Sequence, residues 1–313
     1  MKKFGIGGLG NFNPFRGLNN DTPRINRPTS PSTPPSSRPT PPRDGFDTAP
    51  TRSTTLSRGL FGPSHAEQFN NNPMQYSGQN VLNGYKLFPN GTPPQGVDLP
   101  TPNRPFVPAN QSIATMNVHQ QNGNANLSLS SPGGHGPQVH YLHYLSGGQA
   151  AGPNQGSFAG ISGVPLHPGP GQPSMVTTGP LNGCAVHALH NPNNPNSLSF
   201  VHQADFEHHG AATGRQHLNN FMNQHNLQLV QSITPHDYSH PSGPHGLPTG
   251  ATAFAHYDRP TQQWQLVGQL NEYKSGAGAG GRPELQRPQD LAGGGQWMRP
   301  IDLNNPLNIN DLQ

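Results

Sequence analysis

Cys184 is the only cysteine in the chain. It has no partner for an internal disulfide, so any special chemistry must come from its surroundings. It ends the run Thr177-Thr178-Gly179-Pro180-Leu181-Asn182-Gly183-Cys184 and opens Ala185-Val186-His187-Ala188-Leu189-His190, which has strand composition. A second strand-like stretch, Ser197 to His202, follows the turn-rich Asn191-Pro192-Asn193-Asn194-Pro195-Asn196, and the two read as a hairpin with a longer loop. In an antiparallel hairpin the first residue of one strand faces the last residue of the next. If His190 pairs near Ser197, Cys184 falls opposite Gln203, and a change of one residue in the loop puts it opposite His202. Whether the two side chains share a face depends on that register.

A thiol of ordinary acidity is mostly protonated at neutral pH, and a neighbouring imidazole that takes its proton creates the nucleophile. Cys184 and His202 are the candidate pair. The backbone N–H groups of the Gly183–Cys184 turn are placed to hold an oxyanion. A third group must orient the imidazole. Thr178, six residues before Cys184, offers a hydroxyl that can accept from a ring N–H. Asp205 and Glu207 are another source of that contact, or else form an exposed turn.

Leu181-Asn182-Gly183-Cys184 resembles the Leu-Ser-Gly-Cys motif of the cytotoxic necrotizing factor catalytic domains and of the Burkholderia lethal factor, with Asn182 in place of the small Ser. The order Thr178, Cys184, His202 is similar to that of the CheD-like chemoreceptor deamidases. The likeness spans residues 175–203. It implies a protein glutamine deamidase: Cys184 attacks a carboxamide, His202 hands a proton to departing ammonia, and water hydrolyses the thioester. Amine in place of water would give transglutamination. The implied substrate is a host protein with a reactive glutamine, such as a GTPase in which a glutamine positions the attacking water. No cofactor is implied. A cysteine protease and a non-enzymatic interaction protein with a structural Cys184 are the competing readings.

The elements around this pair set the fold class. Strand-like stretches recur at residues 139–145, 157–164, 175–178, 227–233, 249–257 and 263–270. Thr213-Gly214-Arg215-Gln216 has the form of a capping box ahead of one helix that runs to about Asn226. We therefore expect an α+β fold with a layered, β-sandwich-like antiparallel core and a flanking helix, behind a long disordered N-terminal region. The expected boundaries are a disordered 1–111, a catalytic domain at 112–274 and a flexible tail at 275–313.

Composition supports such a division. The 313 residues hold 39 glycines and 38 prolines, and only 29% are hydrophobic and 10% charged, so part of the chain cannot bury enough apolar surface to order itself. Residues 22–55 are dense in Pro, Ser, Thr and Arg and favour open, polyproline-like chain. The clusters Leu60-Phe61 and Tyr85-Lys86-Leu87-Phe88 are either sticky spots in a linker or docking points for a secretion chaperone. The start, Met1-Lys2-Lys3-Phe4-Gly5, is too rich in glycine for a cleaved signal peptide. With the Ser/Thr/Pro-rich segment it resembles the N-terminus of a type III secretion effector, which implies a secreted protein acting in the host cytoplasm. The net charge of +3 is thinly spread, which argues against nucleic acid as a partner. No apolar run is long enough to span a membrane. His236, His240 and His245 are expected in a Pro/Gly-rich loop rather than at a metal, and His208-His209 likewise in solvent.

Overall fold

The run from Ala185 to His190 is buried at all but its last residue, and its side chains alternate between two different cores. Val186 and Ala188 point one way, and Ala185 and Leu189 the other. A strand with that pattern needs layers on both sides, and the rest of the chain supplies them. The computed structural model describes residues 62–88, 92–121, 123–145, 157–204, 206–207, 210–239, 249–277, 283–288 and 295–313.

In chain order the elements are α1 (His65–Asn71), α2 (Pro73–Gln79), β1 (Val81–Asn83), β2 (Phe106–Pro108), β3 (Ile113–Gln121), β4 (Asn124–Ser130), β5 (Gln138–Leu142), β6 (Phe158–Pro165), β7 (Met175–Leu181), β8 (Ala185–His190), β9 (Ser197–Gln203), α3 (Ala211–His225), β10 (Gln228–Ile233), α4 (Pro235–Tyr238), β11 (Thr249–Asp258), β12 (Gln263–Ala277), β13 (Pro283–Gln286) and β14 (Gln296–Pro300). One sheet runs β1-β4-β3-β5-β7-β11-β12-β13, with β14 also on β12, and the other runs β10-β8-β9-β6-β2. The pairings are mostly antiparallel, but β1–β4, β5–β7 and β2–β6 are parallel.

Three cores stack through the molecule. Between the sheets lie Val186, Phe200, Ile233, Ala253, Trp264 and Leu266. Beyond the larger sheet, α1 and α2 set Phe69 and Tyr76 on Met116, Leu127 and Phe254. Beyond the smaller sheet, α3 sets Leu218, Phe221 and Met222 on Ala185, Leu189 and Val201. The expected α+β sandwich is therefore present, with helices on both outer faces.

Several elements differ from the sequence expectations. Residues 62–88, placed in a disordered 1–111, fold as α1, α2 and β1, because Phe69, Leu82 and Leu87 are sparse but buried. Tyr85 to Phe88 is part of that packing: Phe88 meets Tyr141 edge to face. Residues 283–288 and 295–313, placed in a flexible tail, add β13 and β14 to β12, and Leu312 is buried against the α3 core. Residues 1–61, including Leu60-Phe61 and the proline-rich segment, lie outside the described residues.

The α3 helix begins at Ala211 behind Gly210, whose φ is 87°, and not at a Thr213 cap. Its first turn is pressed onto the Phe206 segment: a Cβ on Gly214 would come within 2.2 Å of the Phe206 carbonyl oxygen. The chain must already be helical there, so the Thr213 hydroxyl arrives too late to cap it. His236 lies in α4, where Thr234 and Asp237 form a capping box, and not in a loop; His240, His245, His208 and His209 lie outside the described residues. Among the described residues no helix is long and apolar enough to cross a membrane.

Candidate active site

The β7 strand belongs to one sheet and β8 to the other, so Asn182, Gly183 and Cys184 carry the chain across the gap between the layers. Gly183 makes that crossing with φ 76°, in the left-handed region, and an added Cβ would meet no atom within 4 Å. The need for glycine here is conformational rather than steric. Cys184 follows with its side chain in the inter-sheet core, 5% exposed. Its Sγ lies 3.7 Å from the Asn182 carbonyl oxygen and 3.6 Å from that of Ala204.

The hairpin register pairs His190 with Leu198, Val186 with His202 and Ala185 with Gln203. Continuing that ladder, Cys184 comes opposite Ala204, shifted from both alternatives open in the sequence. The shift keeps the parity of the His202 alternative: Cys184, Val186, Phe200 and Ala204 all point into the inter-sheet core, and His202, on the same alternation, points there too. Cys184 and His202 are thus diagonal neighbours on one face.

Thr178 reaches the same core from the facing sheet. It pairs with the inward Leu142, and a one-residue irregularity against Thr252 and Phe254 follows it. That bulge lets Leu181, three residues on, also point inward, and bulges commonly re-aim side chains beside active sites. The three residues singled out by sequence therefore all face the layer between the sheets.

Their hydrogen bonds are not those expected. Thr178 Oγ1 and His202 Nε2 are both buried without a hydrogen-bond partner, so the bond from the ring to the Thr178 hydroxyl is not made. Instead the Leu145 N–H donates to His202 Nδ1 at 3.3 Å. An accepting Nδ1 places the ring proton on Nε2. Complete burial pushes His202 down to about 3, with His143 and His187 adding to that effect. The imidazole is accordingly neutral through the physiological range.

Tyrosines gather around the crossing. The fully buried Tyr238 donates its hydroxyl to the Cys184 carbonyl at 2.5 Å. Tyr85 and Tyr273 bond to each other through their hydroxyls, and both lie within electrostatic reach of Cys184. Tyr144 lies against Gly179, where a Cβ would come within 2.3 Å of its ring. None of these tyrosines, nor Leu145, was assigned to the site from the sequence, where Tyr85 stood out only as part of an apolar cluster. Leu145 contributes through its backbone, which residue type does not reveal. Tyr238 had a visible signal, the Thr234-Pro235-His236-Asp237 helix start just before it.

Next to this cluster, His187 is held between Ser232 Oγ at 2.8 Å and Gln203 Oε1 at 3.0 Å, while Gln203 Nε2 donates to the Gly214 carbonyl. That network is closed and fully buried, and it fixes β8, β9, β10 and α3 to one another. Asp205 lies outside the described residues. Glu207 is exposed, and its N–H donates to the Gly183 carbonyl at 3.4 Å. Among the described residues no three His, Cys, Asp or Glu side chains come together to hold a metal ion.

No protein-family model matches this chain, and no curated protein matches it.

Proposed function

We propose that this chain is a cysteine–histidine amidohydrolase, a secreted bacterial effector that converts a glutamine side chain of a host protein to glutamate. One observation carries the reading: Cys184, His202 and Thr178 project into one inter-sheet layer from two facing sheets, with Cys184 directly after a left-handed glycine turn.

The reaction follows from these groups. Neutral His202 accepts the Cys184 proton as Sγ attacks the carboxamide carbon. Nδ1 must first be released by the Leu145 N–H, because that bond occupies the lone pair that takes the proton. The oxygen of the tetrahedral adduct lies against the N–H groups of the Gly183–Cys184 turn. The C–N bond breaks as the imidazolium gives its proton to the leaving nitrogen, and ammonia departs. Water, deprotonated by the same imidazole, then hydrolyses the thioester to a carboxylic acid and free thiol. Carboxamide and water go in, and carboxylate and ammonium come out.

A specific observation favours the alternative of a binding protein with a structural cysteine: the thiol is nearly buried and its neighbour ring is latched by Leu145. The two readings part on one experiment. The full chain is incubated with extracts of eukaryotic cells, ammonia is measured, and Gln-to-Glu conversion is mapped by mass spectrometry. The amidohydrolase reading expects conversion at discrete sites that is lost in Cys184→Ser and in His202→Gln. Peptide-bond cleavage instead would identify a protease. Conversion and ammonia at the same level in wild type and both variants would overturn the proposal.

A further inference from the structure

The crossing turn at Gly183 is gripped from outside by a carboxylate-bearing residue. Phe206 is fully buried under α3, which fixes the backbone of the next residue, Glu207, and the Glu207 N–H closes onto the Gly183 carbonyl. The Glu207 side chain is left exposed beside the nucleophile turn. Its charge is felt at Tyr238, the residue whose hydroxyl holds the Cys184 carbonyl. Among the described residues no lysine or arginine forms an ion pair with it. The part of the side chain that is covered pushes its carboxyl up, and His236 offsets some of that.

We propose that Glu207 is a specificity-determining residue that makes the Cys184 site accept a neutral carboxamide and reject a carboxylate. This rests on the reading of Cys184 as the nucleophile. A carboxamide presents an NH2 with two donors, and a carboxylate presents acceptors only. An anionic Glu207 beside the turn accepts from the first and repels the second. The thioester intermediate is neutral, and negative charge appears on the product only after hydrolysis. The same carboxylate therefore favours release of the new glutamate and disfavours its rebinding. No chemical step is assigned to Glu207. It acts through its charge and its hydrogen-bonding capacity.

Because Cys184 is the only cysteine, every thiol alkylation of the chain, located by peptide mass spectrometry, reports on this site. Two reagents of nearly equal size separate the charges: iodoacetamide is a carboxamide, and iodoacetate is a carboxylate. Rates with both are measured at about pH 8, where carboxyl groups are ionised, in wild type, Glu207→Gln, Glu284→Gln and His202→Gln. The urea-unfolded chain sets the intrinsic preference of the thiol. The backbone bond to Gly183 survives the Glu207 substitution. Glu284, whose part-exposed side chain pairs with Lys274, controls for a general loss of one negative charge.

The proposal expects wild type to prefer iodoacetamide beyond the unfolded reference, and Glu207→Gln to reduce that excess about three- to tenfold, as for two charges several ångströms apart in a partly wet site. Glu284→Gln leaves it unchanged. An unchanged preference in Glu207→Gln, or an equal change in both glutamate variants, overturns the role of Glu207. If labelling repeated at about pH 6, well below the ordinary thiol range, is independent of His202, or if labelling is absent with both reagents in the folded chain, the nucleophile reading itself falls, and this inference falls with it.

Discussion

Cys184 and His202 share one face of the β8–β9 hairpin but stand one pair out of direct opposition: Val186 is across from His202, and Cys184 continues the ladder opposite Ala204. The imidazole is engaged by the Leu145 N–H. The ring is neutral at rest because burial lowers it to about 3, and the chemistry proposed for the pair begins from that neutral base.

Thr178 separates stability from reactivity. Its hydroxyl is buried and makes no hydrogen bond, so Thr178→Val removes an unsatisfied polar group and keeps the shape. We expect urea stability unchanged or raised by about 1 kcal/mol. If the hydroxyl orients His202 during turnover, ammonia release falls at the same time. A stability loss would show that Thr178 has a structural partner in solution.

Three buried histidines make stability depend on pH. Burial lowers His140 and His187 to about 4 and His202 to about 3, below the ordinary histidine range. The unfolded chain binds protons that the folded chain refuses. Stability is therefore fully present above about pH 6.5 and is lost as pH falls from there toward about 4. At about pH 5 each histidine costs on the order of 2 kcal/mol. Urea midpoints measured at about pH 7 and about pH 5 should fall clearly, before most carboxyls titrate. A flat midpoint would contradict the burial of these rings.

Two glycines should respond unequally to substitution. Gly183→Ala meets no steric obstacle and pays only for its left-handed backbone, about 1–2 kcal/mol. Gly214→Ala drives a methyl group into the Phe206 backbone and should cost more than about 3 kcal/mol. Chemical denaturation of the two variants checks the order. Gly183→Ala should also lower ammonia release, because it re-aims the N–H groups that hold the oxyanion.

Tyr238→Phe keeps the ring in the core and deletes the donor to the Cys184 carbonyl. The stranded acceptor should cost about 1–3 kcal/mol. Cys184 labelling should change beyond that of Leu218→Ala, which loosens the far side of the smaller sheet without touching the turn. Equal behaviour of the two variants would make Tyr238 a packing residue only.

The hairpin around the site was legible because its strands and its Asn/Pro turn are local signals: Ala185–His190 and Ser197–Gln203 are the strands, and Asn194 closes back on Asn191. The register was not, since a shift of one residue leaves the sequence pattern intact. The described residues 62–111 and those from 283 onward were misjudged because composition averages over them. Phe69, Leu82, Leu285 and Leu312 are few, and each contributes by meeting partners far along the chain. The Leu145 contact to His202 spans 57 residues and comes from backbone, so no residue type announces it.

The central claim is that His202 takes the Cys184 proton. The rate of iodoacetamide labelling of Cys184 against pH, in wild type and His202→Gln, tests it most directly. If the proton passes within the pair, the reactive fraction does not change with pH while the pair keeps its single proton. Wild type then shows a plateau from the ordinary thiol range down toward the low value of His202, and the variant falls about tenfold per pH unit, as an isolated thiol does. The same tenfold slope in both proteins would contradict the account and leave Cys184 an ordinary buried cysteine.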